Sequence, residues 1–214
     1  MGAVAVGRLT FAALDAVTLD AYGTLATLID PLPGLLDALA ERGARRSPEV
    51  VLAGFERESE HYARRAGEGY DAESLERLRR DCAAVFLDAV GADLDADEFA
   101  PAYIDAIRFE VLPGAVDSLE RLRALGLELA VVGNWDFSLH ERLAELGLAG
   151  YFRVVVPAAR KPSPDGLLQA IAQLGVEPSR ALHIGDEDAD EEAARAAGMH
   201  FRLAPLPDAL AALA

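Results

Sequence analysis

The sequence predicts an α/β protein, a parallel sheet with helices on both faces, interrupted after its first strand by an all-α insertion of four helices. Three observations carry this reading. The run Ala16-Val-Thr-Leu19 is short and apolar and ends on Asp20 before a turn at Tyr22-Gly23, as a central parallel strand does. From about 34 to 110 the apolar spacing is helical throughout. Beyond Leu112-Pro113-Gly114, strands and helices alternate, the pattern of right-handed βαβ units.

Taken in order, residues 1–14 are uninformative: an edge strand, or a segment packed on the core. Strand 15–20 follows. Asp30-Pro-Leu-Pro-Gly34 reads as a break in which two prolines fix an extended path. Leu35, Leu36, Ala38 and Leu39 mark the first insertion helix. Ser47-Pro48-Glu49 opens the second, with Ser47 as N-cap and Pro48 at the first helical position. Val50, Val51, Leu52, Phe55 and Tyr62 lie along it. Residues 71–90 repeat the spacing with Leu75, Leu78, Cys82, Val85, Phe86 and Leu87. A fourth helix from about Ala96 carries Phe99, Tyr103, Ile104, Ile107 and Phe109, and nothing in this stretch reads as a strand. Four helices joined by short loops imply a small bundle. Then come helix 115–124, strand Leu127–Val132, helix 137–147, strand Phe152–Val156, helix 164–174, strand Ala181–Ile184, helix 189–197, strand 199–203 and a last helix. The core therefore comprises 1–28 and 112–214, and the insertion 29–111.

Length supports this division, since 214 residues fit one core of roughly 130 residues plus a subdomain. A formal charge of −16 and a pI near 4.6 argue against nucleic acid or an anionic membrane as partner. A phosphorylated substrate would be repelled too, unless a local cation or metal reverses the field. Cys82 is the only cysteine, which excludes an intramolecular disulfide and a thiolate metal cluster and reads as an inert buried thiol. No apolar run has the length of a membrane span. The opening MGAVAVGRLTFAALDA hints at a signal peptide, but cleavage there would abut the first core strand, so the expectation is a cytoplasmic protein. Oligomeric state leaves no signature.

Polar residues collect where strands end. Gly133-Asn134-Trp135-Asp136 follows the second core strand, Lys161-Pro162 the third, and Gly185-Asp186-Glu187-Asp188-Ala189-Asp190 the fourth. Singly these read as helix caps, a surface cation and acids favoured at a helix N-terminus. Together with Asp20 they place one lysine among several carboxylates at one sheet edge, in the crevice where open α/β sheets bind ligands. That is the chemistry of a divalent-cation and phosphate site.

On these four motifs, Asp20-Ala-Tyr22-Gly-Thr-Leu25, Val131-Val-Gly-Asn134, Lys161-Pro162 and Gly185-Asp186-Glu-Asp-Ala-Asp190 with Ala196-Ala-Gly-Met199 behind it, the chain resembles the haloacid dehalogenase superfamily. The insertion resembles the cap that one branch carries between its first two motifs. The resemblance implies a Rossmann-like core and a hydrolase. It makes Asp20 the nucleophile that forms an aspartyl intermediate, with Lys161 holding that carboxylate and offsetting substrate charge. It implies Mg²⁺ bound by Asp20, Asp186 and the backbone carbonyl of Tyr22. Thr24 and Asp190 would support the site, and Glu187 or Asp188 would contribute through water. Tyr22, Gly133, Asn134 and Trp135 would face a small phosphorylated substrate.

Two positions depart from the family. Its phosphatases carry a second Asp, as general acid and base, where this chain has Tyr22. A phenol ordinarily titrates near 10 and is a poor base toward water, and losing a positioned acid–base costs about 10²–10⁴ in rate. The loss falls hardest on alkoxide leaving groups and least on acyl phosphates. Gly133 stands where the family has Ser or Thr donating to the substrate, a hydrogen bond worth roughly 1.5–3 kcal/mol to a charged group. Weakened activity is expected from both. Two alternatives follow: a 2-haloacid dehalogenase, favoured by Tyr22 but opposed by Gly185-Asp186-Glu187 and by Leu167 where dehalogenases have Tyr; or an impaired binding or regulatory protein. Arg45, Arg46, Arg57, His61, Tyr62 and Arg64 are the polar candidates in the cap.

Overall fold

The computed structural model describes residues 9–213. The chain enters through one 3-10 turn at Phe11–Ala13, not a strand, and the rest of the N-terminal expectation, a leader or an edge strand within 1–8, lies outside the described residues. Strand β1 (Ala16–Leu19) and the short β2 (Ala26–Leu28) precede four helices, α1 (Leu32–Glu41), α2 (Pro48–Arg65), α3 (Ala72–Val90) and α4 (Ala96–Ala106). Strand β3 (Phe109–Val111) returns the chain to the sheet. Then α5 (Ala115–Ala124), β4 (Glu128–Val132), α6 (Leu139–Glu145), β5 (Val154–Val156), α7 (Asp165–Leu174), β6 (Ala181–Gly185), α8 (Asp188–Ala197), β7 (His200–Leu203) and α9 (Leu206–Ala211) alternate as expected.

The sheet runs β5-β4-β1-β6-β7, all parallel, with β1 at its centre. Period-two alternation sends Val17 and Leu19 to one face and Ala16 to the other. On the first face they meet Leu119 and Leu122 of α5, Leu139 and Leu143 of α6, and Leu206 and Leu210 of α9. On the second, Ala16 joins Val132 against Leu167 and Ile171 of α7 and Ala193 and Ala197 of α8. Each fully buried leucine contributes about 1.5–3 kcal/mol. The four insertion helices bury a third cluster of their own around Leu35, Leu39, Phe86, Phe99 and Tyr103.

Three local expectations are corrected. The stretch 29–111 is not wholly helical: β3 pairs antiparallel with β2, Leu28 opposite Phe109 and Ala26 opposite Val111, so the fourth helix ends at Ala106 and Phe109 is a strand residue. This ribbon carries the chain out of the sheet and back. Asp30-Pro-Leu-Pro-Gly34 is no break, because α1 begins at Leu32. Pro33 falls in the first turn, where its missing N–H is not needed, and the Asp30 carboxylate accepts the amide of Leu32 at 3.0 Å. Ser47 does occupy the N-cap position before Pro48, but its side chain makes no capping hydrogen bond.

Candidate active site

Asp20 directly follows β1, and the loops after β4, β5 and β6 converge on it. The Lys161 ammonium donates to both the Asp20 and the Asp190 carboxylates, and all three side chains are almost fully buried. One cation between two carboxylates leaves a net negative charge in a buried site. Burial, reinforced by Asp190 and only partly offset by Lys161, pushes Asp20 up to about 6. Burial alone would lower Lys161, but the two carboxylates outweigh it and hold the ammonium charged. Burial also opposes ionisation of Asp190, yet His183 and Lys161 together hold it well below the usual carboxylate range.

His183 lies on β6 with no exposed surface. A carboxylate can only accept, so Nε2–H donates to Asp190 at 3.0 Å. Burial keeps the ring neutral, which leaves Nδ1 to accept the Thr18 hydroxyl at 2.9 Å. A buried chain Thr18–His183–Asp190–Lys161–Asp20 thus crosses from β6 to the end of β1. The Asp190 Oδ2 accepts the Glu187 amide at 3.1 Å, closing a capping box at the start of α8. The Asp190 carboxylate lies against Gly185, and a Cβ there would overlap it.

Asp186 is exposed, and its carboxylate rests on Gly23, where a Cβ would overlap it; Gly23 itself has φ +78°, a conformation other residues adopt at a cost. Burial, with the neighbouring charges of Asp190 and Glu187, raises Asp186 above its ordinary value. Carboxylate oxygens of Asp20, Asp186 and Asp190 all lie within 4.8 Å of one another.

Asn134 turns both ends of its amide to the backbone of Lys161: Nδ2 donates to the carbonyl at 2.9 Å, and Oδ1 accepts the amide at 2.7 Å. Expected to touch substrate, it lines the cavity and also braces the lysine loop, where Ala158 and Arg160 both have positive φ. Gly133 lies between Ala21 and Leu139 at ordinary contact distance from a would-be Cβ. Trp135 packs on Phe109 with ring centroids 4.6 Å apart and meets the edge of Tyr22 at 6.5 Å, walling the cavity and bridging to the ribbon at once. Tyr22 is half exposed. Thr24 is buried, and its hydroxyl has no hydrogen-bond partner among the described residues.

Asp20, Tyr22, Asn134, Trp135 and Lys161 open into a cavity of about 480 Å³ that extends up between α2, α3 and α4. Of the six insertion candidates, Tyr62 reaches it, its hydroxyl accepting the Asp136 amide at 3.4 Å. Arg46 instead donates to the Val90 carbonyl at the end of α3. The sequence reading missed Arg79, Glu58 and Tyr103, which line the cavity, and His183. Only His183 left a trace, as one polar residue inside the apolar run Ala181–Gly185.

A family model described as haloacid dehalogenase-like hydrolase matches residues 14–198. The chain belongs to that family. The chain is 36% identical over 123 residues to a phosphoglycolate phosphatase of Aquifex aeolicus, covering 50% of this chain and 58% of that one. The chain spans about half the length of several curated relatives that it matches. Among solved structures, an HAD phosphatase from Thermococcus onnurineus is 28% identical, with 88% of this chain and 85% of that chain covered and a TM-score of 0.58. An L-2-haloacid dehalogenase from Xanthobacter autotrophicus, solved with chloropropionic acid covalently bound, is 26% identical over 88% of this chain and 76% of that one, with a TM-score of 0.62. Among the described residues no helix is long and apolar enough to cross a membrane.

Proposed function

We propose that this hydrolase is a Mg²⁺-dependent phosphohydrolase acting on a small phosphorylated substrate through Asp20. The seat of Asp186 carries the reading: a carboxylate laid over Gly23, within 4.8 Å of Asp20. Asp190, the third acid, already serves Lys161, His183 and the Glu187 amide. Asp20, Asp186 and the backbone carbonyl of Tyr22 are the sparse set of hard oxygens that suits Mg²⁺ with retained waters. When bound there, the ion would neutralise charge on the phosphoryl oxygens.

An Asp20 oxygen bonds to phosphorus as the bond to the leaving oxygen breaks, and the leaving group takes that electron pair. Water then adds to phosphorus, the phosphorus–Asp20 bond breaks, and phosphate and the free carboxylate return, with the water's protons passing to solvent and product. Lys161 keeps Asp20 ionised and aimed. Asp190 and His183 fix Lys161 in turn, and Asn134 fixes its backbone. With Tyr22 in place of a carboxylic acid, nothing protonates the leaving oxygen, so acyl and aryl phosphates are turned over ahead of alkyl phosphates. Relatives named phosphoglycolate phosphatase support a phosphorylated small molecule as substrate. In this reading residues 29–111 form a cap over a core of 1–28 and 112–214. The protein is cytoplasmic, with neither nucleic acid nor membrane as partner.

Tyr22 and the likeness to the Xanthobacter enzyme favour a second reading, a 2-haloacid dehalogenase. Against it, the Asp186 carboxylate beside Asp20 would repel the acid group of a haloacid. Phosphate and chloride release decide between them, measured on acetyl phosphate, p-nitrophenyl phosphate and 2-chloropropionate with and without Mg²⁺, using Asp20→Asn as control. Mg²⁺-dependent phosphate release lost in the variant is expected. Metal-independent chloride release overturns the proposal, and no turnover with Mg²⁺ still bound points to the impaired binding protein.

A further inference from the structure

We propose that the insertion side of the cavity recognises an ammonium group, so that the substrate is a phosphate ester whose apolar body joins a phosphate at Asp20 to an amine at Glu58. This rests on the phosphohydrolase reading and names its substrate class.

Size is the first argument. A volume of about 480 Å³ falls within the 300–1,000 Å³ typical of sites for drug-sized ligands and is ample for far more than a phosphate on a two-carbon acid. Wall chemistry is the second. Between the strand ends and the insertion, Phe55, Leu78 and Ile104 line the space, surfaces that offer a sugar hydroxyl no partner.

Glu58 is the third argument. It sits in the middle of α2, 4% exposed, and lines the cavity. The Tyr103 hydroxyl donates to it at 2.5 Å, with the Cys82 thiol on the same cavity wall. One neutral donor leaves most of a carboxylate's lone-pair sites open. Among the described residues no Lys, Arg or His forms an ion pair with it. The two arginines on the same cavity wall are committed elsewhere, Arg79 to Glu76 and Glu141, and Arg142 to Glu145. Buried carboxylates are normally paired with a cation or held neutral, and burial does raise Glu58 above its ordinary value. A ligand ammonium would supply the missing charge, and apolar walls would strengthen the pairing by excluding water.

The test compares 4-(aminomethyl)phenyl phosphate with 4-methylphenyl phosphate. The wild type is expected to favour the amine by about 10- to 100-fold in kcat/KM, the range for a hydrogen bond to a charged group. Glu58→Gln should cut that ratio by at least about tenfold, a comparison in which differences in intrinsic leaving-group reactivity cancel. An unchanged ratio overturns the proposal. If neither ester is hydrolysed, the phosphohydrolase reading fails on its own, and the ammonium site is judged by calorimetry. Wild-type protein should bind 4-methylbenzylamine at least about tenfold more tightly than 4-methylbenzyl alcohol, a comparison that needs no variant to fold. Equal affinities overturn the proposal.

Discussion

Gly23→Ala separates the two things this glycine does. Its φ of +78° costs a residue with a Cβ about 1–2 kcal/mol, and that Cβ would also occupy the space of the Asp186 carboxylate. The obstructing atoms are the end of a short side chain, so they can swing away at little cost to folding, but only by leaving Asp20. Gly43 offers the matched control: its φ is +77°, and a Cβ there meets nothing within 4 Å. Both alanine variants should therefore lose about 1–2 kcal/mol, a fall in Tm of roughly 2–8 °C for a chain of this size. Only Gly23→Ala should weaken Mg²⁺ binding, and by at least the 10- to 100-fold or so that follows loss of a residue merely supporting a metal ligand. Calorimetric titration of the folded variants with Mg²⁺, beside thermal melts, reads both effects. Wild-type Mg²⁺ affinity in Gly23→Ala would refute the placement of Asp186 at the ion. Equal loss of affinity in Gly43→Ala would show that general destabilisation, not displacement of a ligand, was responsible.

Three further outcomes are expected. Lys161→Met leaves Asp20 and Asp190 facing each other with oxygens within 4.8 Å, a repulsion of about 3.5 kcal/mol at an effective dielectric of 20. Asp20, already near 6, then titrates higher. A raised carboxylate contributes its stability at acid pH and loses it as pH rises through the folded value, so the urea midpoint of this variant in metal-free buffer should fall between pH 6 and 8; a flat profile would contradict the shared-lysine geometry. Glu58 is likewise raised, by burial against the pull of its Tyr103 hydrogen bond. Gln copies its neutral form, so Glu58→Gln should gain stability relative to wild type as pH rises from 5 to 8, measured by urea titration. Cys82 is 3% exposed, and burial followed by the Glu58 charge raises its thiol far above the ordinary range, so iodoacetamide at pH 8 should label it only in denaturant.

The succession of core strands along the chain and the polar motifs that follow them were legible because both depend on local signals. An apolar run that stops at Asp20, or a glycine before Asp186, announces itself within a few residues. What stayed hidden depends on partners far along the chain. Thr18 and His183 are 165 residues apart, and nothing in Ala181–Gly185 says that its one imidazole will be sealed between a hydroxyl and Asp190. Glu58 belongs to Glu56-Arg-Glu-Ser-Glu-His61, which reads as a solvated helix face; burial by Tyr103, 45 residues away, reverses that reading for a single position. Tyr103 and Phe109 counted equally as apolar spacing, although one supplies a buried hydroxyl and the other a ribbon strand too short for period-two alternation to register. The Asn134 amide has equal chemistry for a ligand or a backbone, and only the fold brings Lys161 to it.

Exposure divides the site according to what each part must do. Asp20, Lys161, Asp190 and His183 are buried and mutually bonded, so their geometry is set before anything binds. Asp186 and Tyr22 are open to solvent, where an ion or substrate arrives with its own water. The side chain of Tyr22 lies outside the buried chain and makes its contact with Trp135, on the cavity wall. A tyrosine there leaves the alignment of Asp20 and Lys161 intact, and its backbone carbonyl remains available whatever the side chain. On the proposed mechanism the change is therefore confined to one function, protonation of the departing oxygen. A buried polar chain of this kind would have little reason to persist fully paired in a protein that only binds, since apolar side chains of similar volume would serve folding as well. On the proposed mechanism, that pairing is what an active phosphohydrolase with a restricted choice of leaving group requires and a protein that only binds does not.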